Sequence, residues 1–211
     1  MMASGIILAG GASTRMTGDK AFMEVAGRRV IDIQLEVLRG LFEEILVVTN
    51  RERLAWAGGY EEEGVRVVAE PVSGKGPLGG ILSGLLLSAS QENFVLACDM
   101  PFIKREAVAL VLEKLAGYQV AVPRTAEGLE PLHAAYGRSC IPFIQRQVEL
   151  GDLKVTDFYH RVKVIELPWE EFKHLDETGR LLMNVNSPED MRRAAGERGN
   201  ATGRYQEKGA E

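Results

Sequence analysis

A glycine-rich loop with two cations follows the first apolar run of the chain. Residues 5–8, Gly-Ile-Ile-Leu, lead into the letters AGGASTRMTGDKA, which contain Arg15 and Lys20. Glycine lets backbone N–H groups approach a ligand closely, while Arg and Lys supply countercharge. The loop therefore predicts an anion site with several oxygens, most simply for a phosphate chain. The competing interpretation is that Gly10 and Gly11 only form a tight exit from a strand.

Better-known motifs for phosphate binding and catalysis do not match the chain. There is no GxxxxGK[ST] motif, and the first loop does not read GxGxxG with a downstream acid. GxSxG, HExxH and paired-His motifs are also absent, which weakens acyl transfer and zinc hydrolysis as interpretations. A second glycine-rich stretch, residues 74–80, is either part of an anion site or a flexible turn ahead of a helix.

Asp99 follows a strand-like apolar run and precedes Pro101. A carboxylate in this place is a hard oxygen ligand for a divalent cation such as Mg²⁺, but it could instead cap a helix beginning near Pro101. A metal beside a phosphate loop favours a nucleotide and phosphoryl or nucleotidyl transfer, which depends mainly on positioning, Mg²⁺ and cationic side chains. The adjacent Cys98 is interpreted as a small buried residue, because no His stands near it.

Three polar side chains in the second half have open roles. His133 either faces an acceptor or a base, or is a satisfied, half-buried histidine. Asn184 and Asn186 would lie on the same side of a strand and could hydrogen-bond a ligand. Asn186 is equally explained by the turn ahead of Ser187 and Pro188.

The composition is that of a globular protein with a sizeable core. The 211 residues are 45% hydrophobic and 26% charged, with a net charge of −5. The negative balance argues against nucleic acid or an anionic membrane as partner. Two cysteines without CxxC spacing, and no targeting or membrane segment, favour the reducing cytoplasm.

Strands and helices are predicted to alternate in the first 122 residues. Near-continuous apolar runs predict strands covered on both faces, as in a mostly parallel sheet. The predicted strands are residues 5–8, 44–49, 65–69, 94–97 and 119–122. The predicted helices are residues 30–41, 51–57, 77–88 and 104–115. Because ligands of such sheets bind beyond the carboxyl ends of the strands, the loops after the first four strands are expected to meet at one edge.

The second half alternates less regularly. Residues 132–136 are predicted to form an antiparallel strand, 138–150 a helix, and 162–167 and 181–185 further strands. A last helix is predicted over 188–195, with Ser187 as N-cap and Pro188 at the first helical position. We expect one domain over residues 1–195, followed by a disordered tail over 196–211.

Taken together, these segments resemble the molybdenum cofactor guanylyltransferase family of the nucleotidyltransferase superfamily. The match runs from about residue 4 to residue 195. The segments that carry it are, in chain order, residues 8–11, Ser13, Arg15 with Met16, and residues 18–20, 76–78, 98–102, 130–133 and 184–190.

The resemblance implies a three-layer αβα sandwich of the nucleotide-diphospho-sugar transferase type, with a Rossmann-like, mostly parallel sheet. It implies transfer of GMP from GTP to the terminal phosphate of Mo-molybdopterin, with Mg²⁺ and release of pyrophosphate. The implied binding and catalytic positions are Leu8, Ala9, Gly10, Gly11, Arg15, Lys20, Glu70 and Asp99, with Asp99 on the metal and Arg15 and Lys20 on the phosphates.

Details of these positions separate the family from its relatives. The pair Gly10 and Gly11 is typical of guanine, because cytidylyltransferase relatives read Leu-Ala-Ala-Gly at this place. Glu70 departs from the family, whose members usually carry Asp there. His133, Asn184 and Asn186 match motifs near the acceptor side. Proteins that deliver molybdopterin, and chaperones of molybdoenzymes, are the protein partners that the resemblance suggests.

Two other functions stay open from the sequence alone. The first is a related nucleotidyltransferase that uses CTP or a sugar-phosphate acceptor. The second is a nucleotide-binding module without catalysis, against which the presence of Arg15, Lys20 and Asp99 argues.

Overall fold

The computed structural model describes residues 3–10, 24–54, 58–61 and 64–194. The strands of this part are β1 (Ala3–Leu8), β2 (Glu24–Val25), β3 (Arg28–Arg29), β4 (Glu44–Thr49), β5 (Val65–Ala69), β6 (Glu92–Ala97), β7 (Val120–Arg124), β8 (His133–Gly137) and β9 (Val164–Pro168). Its α-helices are α1 (Val30–Arg39), α2 (Gly76–Leu87), α3 (Arg105–Lys114), α4 (Ile141–Glu149) and α5 (Pro188–Ala194).

Seven strands form the central sheet in the order β5-β4-β1-β6-β8-β7-β9, and β2 pairs with β3 in a separate hairpin. Neighbouring strands are parallel except around β8, which runs antiparallel to both β6 and β7. The predicted antiparallel strand over 132–136 is therefore confirmed, shifted by one residue. Four parallel strands, β5, β4, β1 and β6, end at the same carboxyl edge.

Helices cover both faces of the sheet, which confirms the three-layer αβα architecture. On one face the apolar side chains of α1 and α3 pack against alternate residues of the strands, such as Ile7 and Leu96. On the other face α2 and α4 pack against the intervening residues, such as Ile6 and Val95. Because the central strands are buried on both sides, their sequences read as continuous apolar runs rather than as alternating ones.

Helix α2 lies very close to β1. A Cβ placed on Gly84 would lie 2.6 Å from the Cγ2 of Ile6, so only glycine allows this approach. Gly80 similarly lies against Leu8: a Cβ placed on Gly80 would lie 3.2 Å from the Cδ2 of Leu8. The close packing brings the amino end of α2 beside the carboxyl end of β1.

Several predicted elements differ from the structure. Residues 181–185 do not form a strand, although Leu181 and Val185 are both buried. The helix predicted over 104–115 is confirmed as α3, Arg105–Lys114, with an extended Lys104 before it rather than a start at Pro101. In the predicted helix 51–57, Arg51–Arg53 form a 3-10 turn and residues 55–57 lie outside the described part. The predicted tail, 196–211, also lies outside it.

The last helix begins as predicted. The Ser187 Oγ accepts a hydrogen bond from the Asp190 amide at 3.1 Å, and the Asp190 carboxylate accepts one from the Asn186 amide at 3.0 Å. This reciprocal arrangement satisfies amide groups at the start of α5, which otherwise have no partner within the helix. Ser187 is therefore the N-cap that the sequence indicates.

No helix in the described ranges is both long enough and apolar enough to span a bilayer.

Candidate active site

A cavity of about 420 Å³ opens at the carboxyl edge of the sheet, in the size range of small-molecule sites. The structure gathers there residues that are far apart in the sequence, including four of the predicted positions, Leu8, Gly10, Glu70 and Asp99. The complete lining is Leu8, Gly10, Asn50, Glu70, Ser73, Gly74, Gly76, Pro77, Gly80, Ala97, Cys98, Asp99 and Leu132.

The exit of β1 is held rigidly by its neighbour β4. The amide of Ala9 donates to the carbonyl oxygen of Val48 at 2.8 Å, and the hydroxyl of Thr49 donates to the carbonyl oxygen of Ala9 at 3.4 Å. Ala9 is buried, whereas Leu8 and Gly10 are half-buried and line the cavity. The first loop therefore begins from a fixed backbone. Its predicted residues Gly11, Arg15 and Lys20 lie outside the described part of the chain.

Glu70 lies directly against Gly10. Its amide donates to the carbonyl oxygen of Thr49 at 2.8 Å, which extends the β4–β5 pairing by one residue. A Cβ placed on Gly10 would lie 2.1 Å from the Oε1 of Glu70, so the absent side chain of Gly10 makes room for this carboxylate. Burial of the half-buried side chain raises the pKa of Glu70 above its ordinary value. The cavity therefore holds a carboxylate whose charged form is less well solvated than it would be in bulk water.

The wall opposite is formed by the loop before α2 and by the amino end of that helix. Gly74 and Gly76 have φ of 73° and 59°, a left-handed conformation that strains other residues. Gly76 and Pro77 line the cavity at the first turn of α2, where Lys75 provides no side-chain cap. Amide groups of a first helical turn point outward and attract anions. The glycine-rich stretch therefore lines the cavity and presents to it the amino end of a helix.

Asp99 stands in the turn that follows β6. The amide of the preceding residue, Cys98, donates to the carbonyl oxygen of Leu8 at 3.2 Å, which fixes the turn beside the exit of β1. The N-cap of α3 is Lys104, so the interpretation of Asp99 as a helix cap is wrong. Cys98 is buried and reduced, as its interpretation as a structural residue requires.

The donor set fits a magnesium ion that is bound largely by its substrate. Within the described residues no group of three or more His, Cys, Asp or Glu side chains could hold a metal. Mg²⁺ is usually held by one or two carboxylates, with phosphates and water as the other ligands. The cavity wall carries two carboxylates, Asp99 and Glu70. That number matches the pattern of a substrate-bound Mg²⁺ and is too small for a dedicated protein cage.

The segment after β9 is joined to the turn that carries Asp99 by one backbone hydrogen bond. The amide of Val185 donates to the carbonyl oxygen of Asp99 at 2.8 Å, while Asn184 and Asn186 on either side of Val185 are exposed. Asn184 and Asn186 therefore flank the residue that contacts Asp99, although the expected strand does not form and neither side chain lines the cavity.

His133 is not part of the cavity wall. Its side chain is completely buried, and its ring lies edge-on to Phe94 with centroids 5.0 Å apart. Burial lowers the pKa of His133 to about 3, so the ring is neutral at physiological pH. Among the described residues its nitrogens have no hydrogen-bond partner. The interpretation of His133 as a satisfied, half-buried residue is therefore wrong, and its complete burial away from the cavity wall does not support the interpretation that it faces an acceptor or a base.

Asn50 lines the cavity between Gly10 and Glu70 in the strand order. Its loop was expected at this edge of the sheet, but no binding role was assigned to Asn50 itself. The available signal was its position directly after the second strand, equivalent to that of Asp99 after the fourth. Ser73 and Gly80 also line the cavity. Ser73 lies in the loop after the third strand, which was expected at this edge, and Gly80 belongs to the glycine-rich stretch 74–80, which reaches the cavity through the packing of α2 on β1.

A second depression, of about 430 Å³, lies on α4 and the turn that follows it. It is lined by Gln147, Leu150, Asp152, Lys154, Thr156, Asp157, His160 and Arg161. Lys154 and Asp157 form an ion pair at 2.9 Å, and the lining includes none of the predicted site residues. The cavity at the carboxyl edge is therefore the candidate active site.

Comparisons with known proteins assign the chain to a family. A family model described as a MobA-like NTP transferase domain matches residues 5–164. The chain is 38% identical over 198 residues to the probable molybdenum cofactor guanylyltransferase of Pelotomaculum thermopropionicum, covering 92% of each chain. It is 31% identical over 190 residues to the molybdenum cofactor guanylyltransferase of Syntrophotalea carbinolica, covering 89% of this chain and 88% of the relative.

Two solved structures show how widely the architecture is shared. Molybdopterin-guanine dinucleotide biosynthesis protein A from Archaeoglobus fulgidus superposes with a TM-score of 0.79 at 25% identity, over 92% of this chain and 97% of that one. The 4-diphosphocytidyl-2C-methyl-D-erythritol synthase of Anaerococcus prevotii gives 0.69 at 15% identity, over 92% and 95%, and shows likeness of fold alone.

Proposed function

The chain belongs to the MobA-like NTP transferase family, and from this premise we propose that it converts Mo-molybdopterin into its guanine dinucleotide form. It is an enzyme, a molybdenum cofactor guanylyltransferase. GMP passes from GTP to the terminal phosphate of Mo-molybdopterin, and pyrophosphate is released. The observation that carries the proposal is the meeting of Leu8, Gly10, Glu70 and Asp99 in one cavity at the carboxyl edge of a mostly parallel sheet.

Glu70 is suited to select guanine. The Watson–Crick edge of guanine carries two adjacent donors, N1–H and the N2 amino group, and a carboxylate can accept from both. The same edge of cytosine offers a single donor group, the N4 amino group, next to acceptors at N3 and O2 that repel a carboxylate. Because Gly10 leaves room for Glu70 at the cavity wall, the pair favours GTP over CTP.

The phosphates would lie between the first loop and the amino end of α2. Gly76 and Pro77 line that space at the first turn of α2, where the helix dipole favours an anion, and Arg15 and Lys20 would supply the countercharge for the triphosphate. Binding by fixed amides and cations aligns the α-phosphorus for attack and stabilises the charge that develops on its oxygens.

Asp99 would hold the magnesium ion against the phosphates. When bound, Mg²⁺ supplies Lewis-acid neutralisation of phosphate charge. An oxygen of the acceptor's terminal phosphate forms the new bond to the α-phosphorus, and the bond from that phosphorus to the pyrophosphate oxygen breaks. Since the attacking phosphate is already ionised at neutral pH, the reaction needs no general base, in agreement with the neutral, buried His133.

Asn184 and Asn186 would face the acceptor, because Val185 holds them beside Asp99. We propose a cytoplasmic setting and brief contact with proteins that deliver molybdopterin or that chaperone molybdoenzymes. These partners would approach the open side of the cavity, where the acceptor enters.

The direct test is incubation with labelled GTP, Mg²⁺ and a molybdopterin-bearing protein, followed by isolation of the pterin product. The expected product is the guanine dinucleotide, formed with an equal amount of pyrophosphate. Lys20→Ala should abolish most of the transfer while the melting temperature changes little. Transfer at the wild-type rate by that variant would remove Lys20 from the mechanism, and label appearing on a sugar phosphate instead would overturn the proposed acceptor.

Thermal shift with each nucleoside triphosphate and Mg²⁺ tests the donor separately, because a bound ligand stabilises the fold according to its affinity. GTP should raise the melting temperature more than CTP does. A larger shift with CTP would contradict the assignment of Glu70 as a guanine-selecting residue.

A further inference from the structure

Gln34 is a completely buried polar side chain in an otherwise apolar helix face. The other buried residues of α1 are Val30, Ile31, Leu35 and Leu38. The Nε2 of Gln34 donates to the carbonyl oxygen of Ala97 at 2.8 Å and to that of Met100 at 3.0 Å. These two carbonyl groups stand immediately before and after the pair Cys98 and Asp99. One side chain therefore spans the turn that carries the carboxylate.

The rest of this turn is held by main-chain hydrogen bonds. The amide of Cys98 donates to the carbonyl oxygen of Leu8, and the carbonyl oxygen of Asp99 accepts from the amide of Val185. The turn is thus attached to β1 on one side and to the segment before α5 on the other. Gln34 holds the turn from a third side, because it lies on α1. Its hydrogen bonds are made by a side chain, so a substitution can remove them.

Burial of Gln34 has a cost that its two donated bonds must offset. Its Oε1 is buried and has no hydrogen-bond partner among the residues that the structure describes. An apolar side chain of similar shape would avoid that cost, but it would leave the carbonyl groups of Ala97 and Met100 without these donors. The amide of Gln34 therefore stabilises the turn that carries Asp99.

We propose that Gln34 is a positioning residue for Asp99. By holding the carbonyl groups on both sides of Asp99, it fixes the direction in which the carboxylate leaves the backbone toward the cavity. Without these bonds the turn would sample several conformations, and the carboxylate would meet a divalent cation in only some of them. The inference rests on the proposed function, in which Asp99 holds Mg²⁺.

The test replaces Gln34 by methionine, which keeps the unbranched shape and removes both donors. Binding of Mn²⁺, a stand-in for Mg²⁺ that electron paramagnetic resonance detects, is titrated in the presence of GTP and without acceptor. Gln34→Met should weaken Mn²⁺ binding roughly tenfold, as loss of an outer-shell contact typically does. In turnover the Mg²⁺ requirement should rise and kcat should fall, while KM for GTP at saturating Mg²⁺ stays near the wild-type value.

Asn93 provides a matched control at the other end of β6. It is also completely buried, its Nδ2 donates to the carbonyl oxygen of Ser90 at 3.4 Å, and its Oδ1 has no hydrogen-bond partner in the described ranges. Asn93→Leu should lower the melting temperature as Gln34→Met does, yet leave Mn²⁺ binding and kcat unchanged. If both variants weaken Mn²⁺ binding equally, Gln34 has only a structural role and the inference is overturned.

Two further variants complete the design. Gln34→Glu keeps the shape and, when protonated as burial favours, donates to one of the two carbonyl groups, so its Mn²⁺ affinity should lie between those of the wild type and Gln34→Met. Wild-type affinity in both Gln34 variants would contradict the inference. Asp99→Asn separates the two claims: if it binds Mn²⁺ normally, the proposed metal site fails, whereas weakened binding with normal Gln34 variants refutes the positioning role alone.

Discussion

Glu44 and Glu70 stand at opposite edges of the same sheet, Glu44 at the start of β4 and Glu70 directly after β5. Glu44 accepts hydrogen bonds from the Ser4 hydroxyl at 2.6 Å, from the Ala89 amide at 3.0 Å and from Arg66 at 2.7 Å. Glu70 instead lies against Gly10 at a cavity. The first carboxylate is enclosed by donors, and the second faces the space where a ligand would bind.

The pKa values of the two glutamates move in opposite directions for this reason. Burial is the largest influence on Glu44 and acts to raise its pKa, but the hydrogen bonds from Ser4, Ala89 and Arg66 together lower it. Burial alone raises the pKa of Glu70. At the amino edge of the sheet, hydrogen bonds within the protein stabilise the charged form of Glu44. At the carboxyl edge, the hydrogen-bond donors that would stabilise the charged form of Glu70 have to come from a ligand.

The largest effect should follow substitution of Asp99 at the carboxyl edge. Asp99→Asn keeps the shape and removes the charge that would hold Mg²⁺. Turnover should fall roughly a hundredfold or more, the loss expected when several kcal/mol of charge stabilisation is removed. GMP transfer and melting temperature are measured together. Unchanged Mg²⁺ dependence of the residual activity would count against the role of Asp99.

The next effect should come from Glu70→Gln, which removes the charge beside Gly10. The KM for GTP should rise roughly tenfold, because the amide can pair with only one of the two guanine donors. The melting temperature of the free protein should stay unchanged or increase, since a poorly compensated charge has been removed. A clear fall in melting temperature with normal KM would reverse the roles assigned to the two edges.

Glu44→Gln is the matched substitution at the amino edge. It weakens the charge-assisted hydrogen bonds from Ser4, Ala89 and Arg66, so the free energy of unfolding should fall by about 1–2 kcal/mol and the melting temperature by a few degrees. KM and kcat should be those of the wild type when assayed well below the melting temperature. Altered kinetics would show that the two edges are coupled.

The smallest effect is the pH dependence. The lowered pKa of Glu44 contributes stability above its ordinary value of 4.5, and that contribution is lost as the pH falls through the lowered value. The raised pKa of Glu70 has the opposite sign: its contribution is present below 4.5 and is lost as the pH rises through the raised value.

As the pH falls below 4.5, melting temperatures should therefore decrease less for Glu44→Gln than for the wild type. GTP binding by the wild type should weaken as Glu70 becomes protonated, and this weakening should be absent in Glu70→Gln. Parallel pH profiles for all three proteins would mean that neither carboxylate titrates as its surroundings indicate.

Much of the fold could be predicted from the sequence because the central strands are covered on both faces. Continuous apolar runs indicated β1, β4, β5 and β6 to within two residues of their observed bounds, and the alternation with helices indicated the parallel arrangement. The strand predicted over 181–185 is wrong, because buried residues such as Leu181 and Val185 also occur in a chain that packs on the core without pairing with a strand.

The site was harder to predict, because it depends on contacts between distant residues. Glu70 and Gly10 meet only through the order of β5, β4 and β1, and no local pattern gives that contact. The side of the sheet to which His133 points depends on the antiparallel register with Leu96, and a shift of one residue would reverse it.

The central claim is that GTP binds at the carboxyl edge of the sheet. A crystal structure of the protein with Mg²⁺ and a GTP analogue that resists cleavage at the α-phosphorus tests it most directly. We expect guanine beside Gly10 and Glu70, and the metal between the phosphates and Asp99. A nucleotide seated instead in the depression lined by Lys154 and Arg161, or a metal far from Asp99, would contradict the account.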